Sequence, residues 1–517
     1  VKAPAGGLTA LESLFLRIES PRTPMHMMTI AVFEGAPLTG PDGRLRIGEL
    51  RAHTDARLHL VPRLRQRVHS APFGLLAPVW EDDPAFDIAR HLRQAAVPPP
   101  GSRRELLALC AELVSWPLDR EHPLWELWFV EGLHGGRVAV VEKLHHAVAD
   151  GLAGVELASV LLDLERHAPE PTAEPWRPEV PARFPSLRFD VGRAGAMVGD
   201  MVRGALTTAR HPGRAWQRAT TVAEGAASLF GPGVVAPRHT VNAPVGLHRR
   251  LAVVQEPLAE LRRVERVTGA TVNDQLLAAV AGGVRQWLER RGEQTAGRTL
   301  QVLVPVGFEH GGTGGLGNHV AGMLVRLPLD QDDAARLLAE VSVALRRRKA
   351  LHQADAAGLL VESLELAPQP LLEAAAHVVH HQPFINLVVT NVPGPQVPLY
   401  SMGARMLEAF PFVPVAGNLA VGVAAFSYAG HLGVGIVGDR DAVPDLDVLT
   451  GAISATFRAI RRLAPAAEPA PNGRRHADAP ARRRRRPAEP ASGPRPVQSG
   501  ECAAPVSPAP SAPVSLP

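Results

Sequence analysis

Two long stretches, Ala374–Ala404 and Ala409–Gly438, contain no Asp, Glu, Lys or Arg. Uncharged segments of this length must leave water, either into a membrane or into a protein core. Asn391-Val392-Pro393-Gly394-Pro395 interrupts the first, and Pro411, Pro414, Gly417 and Asn418 interrupt the second. A membrane span with those breaks would hold unpaired backbone polar groups in hydrocarbon. Both stretches therefore read as buried strands of a globular core.

A chain of 517 residues exceeds one ordinary core, so two domains with linkers or tails are expected. Hydrophobic residues make up 46% and charged residues 21%, which excludes wholesale disorder. Helices are expected at Leu8–Arg17, Leu58–Val68, Arg104–Val114, Leu258–Thr268, Val272–Arg290, Asp332–Lys349 and Leu446–Leu463, from apolar spacing at the helical period. Strands are expected at Thr29–Glu34, Gln301–Val306, Met323–Leu327, Phe384–Thr390, Leu419–Phe426 and Leu432–Val437, with Ser427–Gly430 as the last turn. Val79–Glu81 and Ile88–Leu92 read as short segments near an edge. Six prolines between residues 167 and 186 mark a linker, followed by an amphipathic helix around Val191–Ala205 that packs on the body or lies on a membrane. The resulting division is 1–165, a 166–239 linker, 240–463, and a Pro/Arg-rich tail at 464–517 that is compositionally disordered.

The formal charge of +4 resides in that tail, where eight Arg oppose four acids, and the remainder carries 47 basic and 47 acidic residues. A neutral body argues against a nucleic-acid partner, and the run Arg482–Arg486 reads as a solvated segment. Cys110 and Cys502 are the only cysteines, so neither a disulfide framework nor a cysteine metal site is expected. The start lacks a basic segment followed by an apolar core, which makes the cytoplasm the expected compartment. The glycine-rich Gly311–Gly317 lacks a P-loop ending, and no nucleophile elbow of a serine esterase is present.

The most informative region is a Val-rich strand, Arg137–Leu144, which runs into His145-His146-Ala147-Val148-Ala149-Asp150-Gly151 and then a helical pattern, Leu152–Glu165. Polar residues where a strand stops commonly line clefts. Three readings of the pair compete: a metal site, structural histidines, and catalysis by an imidazole whose ordinary pKa suits proton transfer. A metal site is disfavoured, because only two imidazoles and one carboxylate are local and adjacent side chains diverge on an extended backbone. Asp150 could pin the turn through an Arg from elsewhere, and Gly151 permits a tight exit.

The run from His145 to Gly151 resembles the active-site motif of the CoA-dependent acyltransferase superfamily. Its flanks resemble the signature blocks of bacterial wax ester synthase/diacylglycerol acyltransferases, in that family's order. They are Pro117-Leu118-Asp119-Arg120, Pro123-Leu124-Trp125-Glu126, Thr271-Val272-Asn273-Asp274, Leu316-Gly317-Asn318 and Asn391–Pro395. Phe15-Leu16, Pro24-Met25-His26, Ser427-Tyr428 and Pro444-Asp445 extend the resemblance over about residues 8–463. Val304–Phe308 departs from the family's usual residues, and the tail is not a family feature.

The resemblance implies an α/β fold of two chloramphenicol-acetyltransferase-like domains with a cleft or tunnel between them. It implies His146 as general base, His145 as a neighbour shaping the turn, Asp150 as structural and Gly151 as the turn glycine. Asn273 and Asp274 are either substrate-binding residues near the cleft or an N-cap pair opening a helix. The Asn391–Pro395 block is expected to be a rigid loop. The implied reaction moves a long-chain acyl group from acyl-CoA to diacylglycerol, or to long-chain alcohols as wax esters. No covalent intermediate, metal or cofactor is needed, acyl-CoA being a co-substrate. Products this apolar imply peripheral contact with the inner membrane face or lipid droplets. Two rivals are a condensation-type enzyme taking acyl groups from a carrier protein, and a catalytically silent lipid-binding relative.

Overall fold

The computed structural model describes residues 7–70, 78–149, 162–169, 175–179, 235–307, 320–350, 376 and 381–464. The first half contributes helix α1 (Ala10–Ile18), strand β1 (His26–Glu34), α2 (Ile47–Asp55), β2 (Gln66–His69), β3 (Val79–Asp82), α3 (Ile88–His91), β4 (Leu92–Ala96), α4 (Arg103–Ser115), β5 (Trp125–Leu133) and β6 (Arg137–His145). The second contributes β7 (Arg249–Pro257), α5 (Leu258–Thr268), α6 (Val272–Arg290), β8 (Thr299–Gly307), β9 (Val320–Pro328) and α7 (Ala334–Ala350). It continues with β10 (Leu387–Pro393), β11 (Tyr400–Ser401), β12 (Ala404–Phe412), β13 (Val421–Tyr428), β14 (His431–Asp439) and α8 (Leu446–Arg461).

These strands form two six-stranded sheets, in the orders β11-β12-β1-β6-β5-β4 and β7-β14-β13-β10-β8-β9, and a two-stranded ribbon of β2 and β3. The class is α/β, with antiparallel hairpins beside parallel pairs such as β10–β13. The uncharged stretches are indeed strand-rich and buried: β13 and β14 hold Val421, Val423, Leu432, Val434 and Ile436 out of water. Helices α5, α6, α7 and α8 cover one face of the second sheet, enclosing a core that includes Leu277, Trp287, Val341 and Phe457.

The first sheet is completed from far along the chain. Strand β12 pairs antiparallel with β1, from Met28 opposite Phe412 to Phe33 opposite Met406. The same strand lies against β14, where a Cβ on Gly433 would come within 2.2 Å of the Ala409 carbonyl oxygen and one on Gly435 within 1.9 Å of that of Pro411. Only hydrogen fits at these positions, so glycine sets how closely the sheets approach.

Several local expectations fail for identifiable reasons. Leu58–Val68 is not a helix: Pro62 removes a backbone donor, and the segment divides into short 3-10 turns at Leu58–Leu60 and Pro62–Arg65 before β2. Leu162–Glu165 is not helical, because Asp163 instead bridges to Tyr400 with both backbone bonds at 2.8 Å. Strands β5, β7 and β12 went unread, the last because Glu408 and Pro411 interrupt its pattern. The final hairpin turns on Ala429 and Gly430 alone, both at positive φ, so the strands run on to Tyr428 and His431. The Asn391 block is a strand end rather than a loop, with Asn391 to Pro393 paired in register to Ala425 to Ser427. The amphipathic helix near 191–205, most of the Pro-rich linker and the tail lie outside the described residues.

Candidate active site

Strand β6 carries both histidines to one end of the first sheet. His145 is its last residue and stands opposite His26 of β1. The His146 amide donates to the Met25 carbonyl at 2.9 Å, so the ladder continues one residue further. Successive side chains on such a backbone leave opposite faces. His145 and His146 therefore diverge, and among the described residues no group of three His, Cys, Asp or Glu side chains could hold a metal ion.

His145 faces inward and is fully buried. The Ala147 amide donates to its Nδ1 at 2.9 Å, which fixes Nδ1 as acceptor and leaves the ring proton on Nε2. That nitrogen lies 3.4 Å from Glu19 Oε1. Glu19 follows α1 and also accepts from Arg120 Nε at 2.9 Å and from the Met25 amide at 3.2 Å. Burial raises the Glu19 carboxyl, but His145 and then Arg120 outweigh it and hold the group at about 2. Two further buried groups share this face. His26 Nε2 bonds the Val114 carbonyl at 3.0 Å, and Lys143 Nζ donates to Trp116 O at 3.0 Å and lies 3.4 Å from Glu126. Burial, then the neighbouring Lys143, pushes His26 well below the usual imidazole range, and burial lowers Lys143.

His146 is half-buried and stacks on Phe15 of α1, with ring centroids 4.6 Å apart and planes 27° apart. Phe15 in turn packs against Ile18, Met25 and Ala376 together with Ala416, so residues of both halves meet beside the ring. Burial first, and then the neighbouring His145, depress the His146 imidazole to about 3. It is a neutral base throughout the physiological range. Asp150 and Gly151 lie outside the described residues.

Residues 8–276 match the wax ester synthase/diacylglycerol acyltransferase catalytic domain, and residues 316–461 match the C-terminal domain of the same family. The chain belongs to the wax ester synthase/diacylglycerol acyltransferase family. Among its relatives are two proteins of Mycobacterium tuberculosis named as probable diacylglycerol O-acyltransferases. One, tgs1, is 34% identical over 86% of this chain and 94% of its own length, and the other, tgs2, is 32% identical over 86% and 97%. The solved wax ester synthase/diacylglycerol acyltransferase from Marinobacter aquaeolei VT8 superposes with a TM-score of 0.65 at 24% identity, covering 89% of this chain and 99% of that one. The first condensation domain of the calcium-dependent antibiotic synthetase shares the fold, with a TM-score of 0.55 at 17% identity over 90% and 97% of the two chains. As a member of this family the chain is an acyltransferase.

Several of this acyltransferase's signature blocks have structural partners that explain their chemistry. Arg120 serves Glu19, as above. Trp125 donates from Nε1 to the Leu64 carbonyl at 2.8 Å and stacks on His91, while Glu126 meets Lys143. Asn273 accepts from Asn391 at 3.4 Å, joining two blocks across α6 and β10. The N-cap of α6 is Thr271 rather than an Asn273-Asp274 pair. Asp274 closes a reciprocal capping box, with Thr271 N to Asp274 Oδ2 at 3.1 Å, and also accepts from Ser342 at 2.9 Å. Ser427 accepts from the Gly394 amide at 3.2 Å, and Asp445 binds Arg291 and the Trp287 Nε1. Leu316-Gly317-Asn318 lies outside the described residues. Glu19 was missed from the sequence. Its only signal was an acid between a predicted helix and Pro24-Met25-His26, and nothing local ties it to Arg120, 101 positions away.

Proposed function

We propose that this protein transfers a long-chain acyl group from acyl-CoA to the free hydroxyl of diacylglycerol, giving triacylglycerol, and to long-chain alcohols, giving wax esters. His146 carries the proposal: it is a neutral imidazole just past a strand end, stacked on Phe15, which itself packs in a cluster with residues of both halves. Acyl-CoA is already activated, so the protein needs only to hold the hydroxyl at the thioester carbonyl and take its proton. Oxygen bonds to the carbonyl carbon while the hydroxyl proton moves to His146. Collapse of the tetrahedral species breaks the carbon–sulfur bond, and the imidazolium returns the proton to the departing thiolate. No acyl-enzyme is formed.

The low pKa of His146 bears on this sequence. A lone imidazolium is costly in a buried site, but here it arises together with the oxyanion, whose charge offsets the penalty. The proton consequently does not rest on the ring. His145 acts through the turn: its acceptor bond from Ala147 holds the backbone that presents His146, and Glu19 orients it from behind.

We further propose contact with a lipid surface, since both acceptor and product are insoluble. Among the described residues no helix is long and apolar enough to cross a membrane, so the proposed contact is peripheral. Liposome flotation of the full chain tests it.

The deciding experiment is product analysis after incubating purified protein with palmitoyl-CoA and either dioleoylglycerol or hexadecanol. Triacylglycerol, wax ester and equimolar free CoA are expected. Transfer only from an acyl-carrier protein would favour a condensation-type enzyme, and no transfer from either donor would leave a lipid-binding relative.

A further inference from the structure

Both active-site histidines lean on one short stretch of backbone, Glu19–Met25, between α1 and β1. Glu19 Oε1 lies 3.4 Å from His145 Nε2 and accepts from the Met25 amide at 3.2 Å. The Met25 carbonyl in turn accepts from the His146 amide at 2.9 Å. Between these two residues the chain makes a tight turn. Ser20 and Thr23 exchange both backbone bonds, at 3.3 and 2.9 Å, with their hydroxyls 2.8 Å apart, and Pro21 and Arg22 are exposed at the tip. Pro21 presets its φ for the second position of such a turn. A displacement of the turn therefore moves the supports of both rings together.

The tip of the turn is gripped from the second half of the chain. Arg249, the first residue of β7, donates from Nη2 to the Arg22 carbonyl. Its backbone amide donates to Ser115 Oγ at 3.1 Å, at the end of α4. That end is tied to the strands that carry the histidines: His26 Nε2 bonds the Val114 carbonyl and Lys143 Nζ donates to the Trp116 carbonyl, both at 3.0 Å. Arg249 is itself firmly seated in its own half. It pairs in register with Asp439 of β14, whose carboxylate lies 3.6 Å from Nη1 and accepts from the Gly246 and Ala442 amides at 2.6 and 2.9 Å. Nη1 also donates to the Gly246 carbonyl at 2.9 Å. A guanidinium is a planar, rigid fork, so holding Nη1 on one side fixes where Nη2 points on the other. A lysine ammonium is a compact point charge and cannot serve both sides at once.

We propose that Arg249 is a positioning residue for acyl transfer: it fixes the Glu19–Met25 turn, and through it His145 and His146, to the second half of the chain. The inference rests on the acyl-transfer reading above and adds to it the residue through which the second half sets the base. Misplacing a reacting group by about 1 Å costs about 10²-fold in rate, so a turn released to shift by a fraction of that should cost about tenfold.

The test is steady-state kinetics of the full chain with palmitoyl-CoA, using dioleoylglycerol or hexadecanol as acceptor, with urea denaturation of each variant alongside. Arg249→Lys keeps a cation beside Asp439 and loses the reach to the Arg22 carbonyl. It should remain folded under assay conditions, lower kcat about tenfold and leave the KM for palmitoyl-CoA within about twofold. A double-mutant cycle with Glu19→Gln then separates positioning from general stability. Because both residues act through one turn, the combined loss of kcat should fall short of the product of the two single losses by more than about threefold. A combined loss closer to that product, an unchanged kcat in Arg249→Lys, or a rise in KM in place of the fall in kcat would overturn the inference alone. Failure of Arg249→Lys to fold would also overturn it, by assigning Arg249 to the scaffold. No product from the wild type with either acceptor would overturn the acyl-transfer reading, and this inference with it.

Discussion

Glu19 Oε1 lies 3.4 Å from His145 Nε2, behind the turn that presents His146. The carboxylate is nearly enclosed, and its second oxygen is taken by Arg120. Replacing it by an amide keeps the volume and removes the charge. Glu19→Gln should lower kcat for palmitoyl transfer about 10- to 100-fold, as loss of an orienting partner does, with little change in KM for palmitoyl-CoA. Initial-rate measurements check this.

The same substitution should change stability in a pH-dependent way. The folded carboxyl sits at about 2 against an ordinary 4.5, so its contribution is complete above 4.5 and disappears as pH falls through 2. At pH 7 Glu19→Gln should cost roughly 1–3 kcal/mol, narrowing towards pH 3. Urea denaturation of both proteins at several pH values gives the comparison, and a constant difference would contradict the assignment.

His146→Ala should lower turnover by about 10²- to 10⁴-fold while its melting temperature stays close to the wild type, since the ring is only partly buried and follows the strand's last residue. His145→Ala should instead lose stability as well, because it removes a fully buried ring and the acceptor of the Ala147 amide. Paired assays and melts separate the two roles.

With hexadecanol as acceptor, kcat/KM should stay level from pH 8 down to pH 5. His146 titrates at about 3, so it remains a competent base over that range. An acid limb centred near 6.5 would show that the base has an ordinary imidazole pKa and is not this ring.

Glu142 carries the opposite linkage. Its folded pKa of about 7 exceeds the ordinary 4.5, so the folded protein binds the extra proton and loses stability as pH rises between those values. Glu142→Gln should therefore stabilise more at pH 8 than at pH 5, as thermal melts at the two values would register.

What the sequence made legible follows from how local each signal is. Helices α5 and α6 were read at their observed bounds, because their apolar periodicity is contained within a single segment. The His145-His146 turn was legible as a strand end for the same reason, and the ordered family blocks supplied the fold. The partners were not legible: Glu19 with Arg120, Asn273 with Asn391 and Glu142 with Thr29 are contacts between distant segments. Thr271 was passed over as a cap in favour of the two polar residues after it, although the spacing from Thr271 to Asp274 is that of a capping box. Strand β12 escaped notice because Glu408 serves Arg103 of α4, which places a charge within an otherwise apolar strand.

Strand β12 also governs the order in which the molecule can be built during synthesis. Strand β1 precedes β12 by several hundred residues and keeps one edge open until residues 404–412 have left the ribosome. An open edge of that kind invites pairing with foreign chains. The nascent polypeptide must therefore shield the strand that follows Met25 until then, and a truncation before residue 404 would release the first sheet with that edge exposed.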